Sequence, residues 1–410
     1  MPPMNTLDQT RTRVLVVGAG PVGLLAALRL REQGIAVRVV DQQSEQRSHT
    51  FPVVLHSLSL RLLNDLGLAA PLFWRGRPVT RLAVYTEFER RAVLDLPKAS
   101  GVAPGLLTLP QDVVRQTLIH ALRQRDVDIE WNLRLAVLQQ DEGGVWGRLV
   151  QHDPLGTMAG GVLRQEVSAF EADFVIGADG YDSTVREALG IELVEHGPLQ
   201  TFAFFDAPTH RAGTEAQLAL SEDFGSSVYP VQGGVSRFSF QVSKGLHRGP
   251  DAQALRELVA ARLPWYGEAP ERCDWSGVAE FRHALVTRFG RGRVWLAGEA
   301  AHLTGPLGVQ SLNVGLDEAS ELALRMGDRV RHPSREPFGI EYDLRRQRQW
   351  RELLGLDERA TISGRSPSWA RRHLPRLMSC LPASESDLDD LLQQLRLTPS
   401  SGHPQLAPES

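Results

Sequence analysis

Val14-Leu15-Val16-Val17-Gly18-Ala19-Gly20-Pro21-Val22-Gly23 decides the fold. The branched apolar run has the length of a buried parallel strand, and Leu24 to Leu30 continue at helical spacing. The glycines therefore fall on a turn between a strand and a helix. Ile35 to Val40 reads as a second strand, and the right-handed crossover rule makes the two strands parallel neighbours. In that context Gly18 permits the tight turn, Gly20 lets backbone approach a pyrophosphate, and Gly23 allows the helix to pack closely. Pro21 and Val22 open the helix, whose free N-terminal amides suit phosphates. Asp41, at the end of the second strand, is placed to accept hydrogen bonds from a ribose. Its carboxylate would repel a 2′-phosphate, so the resident dinucleotide is not expected to be NADP. The bland alternative, a glycine turn in an empty α/β domain, is disfavoured by the strand before and the helix after.

Working outward, the chain of 410 residues is 42% hydrophobic and 23% charged, ordinary globular usage that argues against wholesale disorder. A net charge of -4 supplies no general attraction to nucleic acid. The two cysteines, Cys273 and Cys380, have no metal-type spacing, which speaks against a disulfide framework or a metal site built on thiolates and fits a reducing cytoplasm; no metal is expected. The opening Met1-Pro2-Pro3-Met4-Asn5 lacks the basic start and apolar core of a signal peptide, and no membrane span is expected.

Along the chain, 1–12 reads as a flexible lead. Residues 79–104 and 191–285 alternate like half-exposed strands, Val235 to Val242 most clearly, and read as an antiparallel substrate domain inserted into a discontinuous cofactor domain of 13–78, 105–190 and 286–350. Pro110 to Leu122 looks helical, Phe174 to Ile176 and Val294 to Ala297 are short buried strands, and a helix is expected from about Asn313 to Arg325. Helices are expected through 351–398, and 399–410 reads as a frayed tail.

Two later segments refine the cofactor. Asp173-Phe174-Val175-Ile176-Gly177-Ala178-Asp179-Gly180, with Ser183, Val185 and Arg186, and Gly292-Arg293-Val294-Trp295-Leu296-Ala297-Gly298-Glu299-Ala300-Ala301-His302 follow the glycine fingerprint in order. They resemble two signatures of the FAD-dependent aromatic hydroxylases, the group A flavoprotein monooxygenases typified by para-hydroxybenzoate hydroxylase. The resemblance runs weakly from about Val14 to Arg348. It implies an α/β fold: a Rossmann-like FAD domain, an inserted antiparallel-sheet substrate domain and C-terminal helices.

Residue by residue, the resemblance implies that Asp179 touches the pyrophosphate region of FAD; alone, it reads as a helix N-cap over 181–186. Gln111 matches a side chain near the ribityl chain. Gly298-Glu299 departs from the family, which has aspartate where Glu299 stands; the longer side chain can accept the same hydroxyl hydrogen bonds. Pro306-Leu307-Gly308-Val309-Gln310-Ser311-Leu312-Asn313 resembles the loop that presents amides to the flavin ring, with Pro306, Gly308, Leu312 and Asn313 as candidate contacts. Val309 and Ser311 replace glycines common in relatives, which leaves the loop path open. An arginine frequent near Phe51 in relatives is missing, with Arg47 or His49 as substitutes. His302 reads as a packing residue at a turn. Tyr229, Phe238 and Phe240 read as sheet core in preference to a pocket roof.

The resemblance implies an FAD-dependent monooxygenase: NAD(P)H as a transient co-substrate reduces FAD, O2 adds at C4a, and the hydroperoxide hydroxylates or epoxidises an aromatic or polyketide-like small molecule. No second glycine fingerprint provides a nicotinamide domain, the catalytic residues are unknown, and no acid or base stands out. Two alternatives stay open: an FAD reductase or dehydrogenase on the same fold, and a flavin-binding protein without turnover.

Overall fold

The computed structural model describes residues 10–45, 52–96, 105–151, 167–209, 213–243, 249–267, 269–334, 339–357, 360–361, 366–382 and 386–399. Of the lead expected at 1–12, residues 1–9 lie outside them, whereas Thr10, Arg11 and Thr12 already belong to a strand, Thr10–Val17. Arg47 and His49 lie outside them, as does the tail expected at 399–410 except Pro399, which ends the short strand Thr398–Pro399.

Val14, Leu15 and Val16 are fully buried, because both faces of their strand, Thr10–Val17, are covered. That strand is central in an eight-stranded sheet, paired in parallel with Val37–Asp41 on one side and Val167–Gly177 on the other. Ile129–Trp131 lies outside Val37–Asp41, and Val294–Leu296 lies outside Val167–Gly177, both parallel. Sequence-distant pieces thus complete one sheet. The hairpin of Leu133–Gln140 and Val145–Gln151 joins the long strand Val167–Gly177, which starts seven residues before its apolar run at Phe174.

A second sheet of seven strands runs in the order Trp275–Phe281, Gln200–Pro208, Val235–Val242, Gly225–Val231, Glu215–Leu220, Arg81–Thr86 and Glu89–Asp95. Its antiparallel expectation needs one correction: Glu215–Leu220 pairs in parallel with Arg81–Thr86. The latter strand belongs to its own earlier hairpin with Glu89–Asp95, so it docks on the sheet edge without being bound by a turn to its neighbour. Period-two alternation sorts the side chains. Ala203, Phe205, Phe238 and Phe240 pack on the helix Ala252–Arg262, whereas Phe202, Phe204, Leu218 and Tyr229 face the C-terminal helices Leu374–Cys380 and Ser386–Gln394.

The long helix Gln310–Arg331 extends beyond its expected ends and packs on the fingerprint helix Pro21–Glu32. Among the described residues no helix is long and apolar enough to cross a membrane, and no group of three or more His, Cys, Asp or Glu could hold a metal ion.

Candidate active site

A groove of about 820 Å³ lies between the two sheets, within the ~300–1,000 Å³ usual for ligand sites. One end is built by the fingerprint. Gly18 has φ +108°, and a Cβ there would come 2.2 Å from the carbonyl oxygen of Ala178. A Cβ on Gly23 would come 2.0 Å from the carbonyl oxygen of Gly18. Gly20 differs: its backbone is ordinary, at φ -72°, and nothing lies within 4 Å of a Cβ. The helix it precedes has no side-chain cap, so its first amides are available to a ligand. Asp41 already accepts from the amides of Ala19 at 2.6 Å and Gln43 at 2.7 Å, which fixes its carboxylate at the groove edge.

Asp179 accepts from Ser183 Oγ at 2.6 Å, Thr184 Oγ1 at 3.0 Å and the Val185 amide at 3.2 Å. Burial outweighs these bonds and raises its carboxyl above the usual range. The helix cap itself is Ser183, over Thr184–Ala188, so the N-cap expected of Asp179 sits four residues later. Arg186 donates to the carbonyls of Tyr181 at 2.6 Å and Ala300 at 3.0 Å, tying the Asp179 turn to the Glu299 turn.

Glu299 opens onto the groove, where the surrounding walls desolvate its carboxyl and raise it, an effect offset in part by His302. No described residue donates to it. The neighbouring Gly298, at φ +63°, donates its amide to Glu318 Oε2 at 2.9 Å. Glu318 is fully buried and also receives His302 Nε2 at 2.8 Å and Trp350 Nε1 at 2.7 Å. His302 is thereby a packing residue, as its sequence context suggested.

The loop before Gln310–Arg331 is clamped from several sides. Val309 adopts left-handed backbone, φ 49° and ψ 41°, in a position where relatives favour glycine. Tyr229 Oη donates to the Leu307 carbonyl at 3.3 Å, His56 Nε2 to the Gly308 carbonyl at 3.0 Å, and Gln310 Nε2 to the Leu381 carbonyl. Asn313 Nδ2 donates to the carbonyls of Val54 and Val309, both at 2.8 Å, while its Oδ1 accepts from the His56 amide and Ser59 Oγ, both at 2.7 Å.

Gly18, Gly20, Pro21, Val22, Asp41, Gln111, Asp179, Glu299, Pro306 and Leu312 all line the one groove. Gly23, Gly298, Gly308 and Asn313 do not. The first permits helix packing, and Gly298 and Gly308 shape turns behind the wall. Asn313 corrects its expectation of ligand contact, because its amide group is spent on the bracket that holds the loop. The far end is the floor of the second sheet: Phe204, Ser227, Tyr229, Arg237, Ser239 and Phe281. Tyr229 thus lines the groove, contrary to the core reading, whereas Phe238 and Phe240 are core. Burial pushes the Tyr229 hydroxyl up, which keeps it a donor. Sequence reasoning missed His56, Ser59, Glu318 and Trp350, none of which falls in a local pattern.

A family model described as "FAD binding domain" matches residues 11–348. The chain is 29% identical over 367 residues to 6-methylpretetramide 4-monooxygenase of Streptomyces rimosus, covering 85% of this chain and 61% of the relative. It is 26% identical over 333 residues to pentachlorophenol 4-monooxygenase of Sphingobium chlorophenolicum, covering 79% and 60%. The chain therefore spans less than two thirds of either relative's length. The crystal structure of p-nitrophenol 4-monooxygenase from Pseudomonas putida DLL-E4 superposes with a TM-score of 0.70 at 23% identity, covering 95% of this chain and 98% of that one, and so shares its fold.

Proposed function

The chain belongs to the FAD binding domain family, that of the FAD-dependent aromatic hydroxylases, and from this premise we propose that it is a monooxygenase of aromatic or polyketide-like small molecules, using NAD(P)H and O2. The observation that carries the reading is the single groove shared by Gly20, Asp179, Glu299, Leu312 and the sheet floor. The donors fit FAD. Open space at Gly20 admits a phosphate to the uncapped helix start, and the Glu299 carboxylate, without a described donor, suits polyol hydroxyls. Pro306, Leu312 and the uncapped start of Gln310–Arg331 would face the ring edge, where amides stabilise developing negative charge.

When bound, FAD supplies the redox chemistry, accepting hydride from the nicotinamide and activating O2 for transfer of one oxygen atom. The protein's part is placement and exclusion of water. Phe204 and Phe281 give apolar faces to a flat substrate, while Ser227, Ser239 and Arg237 give polar contacts that orient it. Arg237 is itself held by Asp206 at 2.6 and 2.7 Å and lies over Trp275, at 4.9 Å from the ring centroid. The separate eight- and seven-stranded sheets support a division into a cofactor unit (13–78, 105–190, 286–350) and a substrate unit (79–104, 191–285), although the small sheet of Leu193–Glu195, Ala284–Val286 and His302–Leu303 crosses their boundary. Helices Ser368–Arg372, Leu374–Cys380 and Ser386–Gln394 fall in the third unit, 351–398.

Purified protein is expected to carry a flavin absorbance spectrum and, with a phenol or polycyclic aromatic that stimulates NAD(P)H consumption, to place label from isotopically heavy O2 in the product. Product that is reduced or desaturated without label overturns the monooxygenase reading.

A further inference from the structure

The sequence assigned no residue to the far side of Asp41, yet the groove continues past it along Gln42, Gln43, Arg115 and Trp131. Trp131 ends the edge strand Ile129–Trp131, and its Cα is the direct partner of Asp41 in the parallel ladder. The Arg115 guanidinium carbon lies 5.0 Å from the centroid of the indole. Arg115 is nearly buried and is itself held by the Glu45 carbonyl, at 3.3 and 3.4 Å, and by Asp112 at 3.8 Å. The Asn132 amide donates to the Gln43 carbonyl at 3.1 Å, fixing this rim to the end of the Asp41 strand. The result is a braced aromatic surface one strand beyond the ribose carboxylate.

A dinucleotide whose pyrophosphate meets the fingerprint helix and whose ribose hydroxyls reach Asp41 leads outward from Gly20, since the base is attached on the ribose's far side from the phosphate. We propose that Trp131, braced by Arg115, is the platform on which the adenine base lies. The proposal rests on the reading of the groove as an FAD site. A flat base gains from an indole face irrespective of hydrogen-bond pattern, and the Arg115 guanidinium, its carbon 5.0 Å from the ring centroid, holds the indole by a cation–π contact. Trp131 then acts on the adenosine half of the cofactor and leaves the ring half untouched.

The test titrates flavin-stripped full-length protein with FAD, with ADP, which shares the adenosine half, and with FMN, which shares the ring half, by calorimetry. Trp131→Ala is expected to weaken FAD and ADP alike by about tenfold, ~1.4 kcal/mol, within the range of a base stacked on an aromatic ring. FMN binding stays unchanged, and Trp131→Phe retains most of the affinity for all three. Equal FAD and ADP affinity in wild type and Trp131→Ala overturns the platform while leaving the FAD site standing. So does a loss that falls on FMN as heavily as on ADP, which would report damaged folding. A wild-type protein that binds neither FAD nor ADP overturns both the platform and the reading beneath it.

Discussion

His302 lies face to face with Trp350, ring centroids 3.6 Å apart and planes 20° apart, and both rings point a nitrogen at Glu318. With the Gly298 amide, that carboxylate, at zero exposure, satisfies three donors, two from the turn at Gly298 to His302 and one from the helix Ile340–Leu353. Each buried donor left unmade costs about 1–3 kcal/mol. Glu318→Ala is therefore expected to destabilise the protein by roughly 3 kcal/mol or more, read as a lowered denaturant midpoint. A change below about 1 kcal/mol would mean that water replaces the carboxylate.

The three fingerprint glycines should separate folding from binding. Alanine at Gly23 would meet the Gly18 carbonyl, and alanine at Gly18 combines positive φ with the Ala178 carbonyl, so each is expected to cost about 1–3 kcal/mol or more in stability. Gly20→Val adds a Cβ that has no protein atom within 4 Å and sits in backbone that any residue adopts. It should melt within about 0.5 kcal/mol of wild type, as an uninvolved surface substitution does, yet lose FAD affinity because the side chain occupies the phosphate approach. Wild-type flavin content in purified Gly20→Val would contradict the placement of the pyrophosphate.

Local patterns were legible in the sequence and long-range ones were not. The fingerprint announces itself because strand, turn and helix lie within a few residues of it, and Asp179, Glu299 and Leu312 because each sits in a short contiguous segment that resembles a family motif. Nothing local marks Glu318, whose partners are 16 residues back at His302 and 32 residues on at Trp350. Asn313 stood in a matching motif, but its partners His56, Ser59 and Val54 are more than 250 residues away, and they convert a candidate contact into a bracket. Tyr229 was ambiguous for a different reason. Strand alternation shows that Tyr229 and Phe238 face opposite sides, but not which side is the groove.

Val309 carries backbone strain that glycine would release. A branched residue at positive φ costs on the order of 1 kcal/mol or more, while its side chain packs against the cluster that includes Leu377 and Leu381. Val309→Gly relieves the first and forfeits the second, with added unfolded-state entropy. The net change in stability is expected to stay within about 1 kcal/mol in a thermal melt. A loss beyond about 2 kcal/mol would show that side-chain packing, not backbone relief, dominates at this loop.

Tyr229→Phe removes a side-chain tether from the sheet floor to the Leu307 carbonyl. The lost hydrogen bond and the stranded carbonyl predict a destabilisation of about 1–2 kcal/mol. Denaturant unfolding measures it, and an unchanged midpoint would mean that the 3.3 Å contact contributes nothing.

Glu299 and Asp179 set a pH dependence whose sign follows from burial. Both carboxyls are raised by desolvation above their ordinary values of 4.5 and 3.8, so the folded apoprotein holds these protons more tightly than the unfolded chain. Their contribution to stability is complete below those values and is lost as pH rises through the folded pKa values. Polyol hydroxyls donating to Glu299 favour its charged form and reverse part of that shift, so binding FAD releases a proton in the same window. FAD affinity should accordingly rise with pH just above 4.5, the ordinary value for Glu299. In Glu299→Gln, which accepts similar hydrogen bonds without titrating, that rise should flatten. Titrations at several pH values test this, and parallel curves for wild type and Glu299→Gln would remove Glu299 from the flavin's hydroxyl chain.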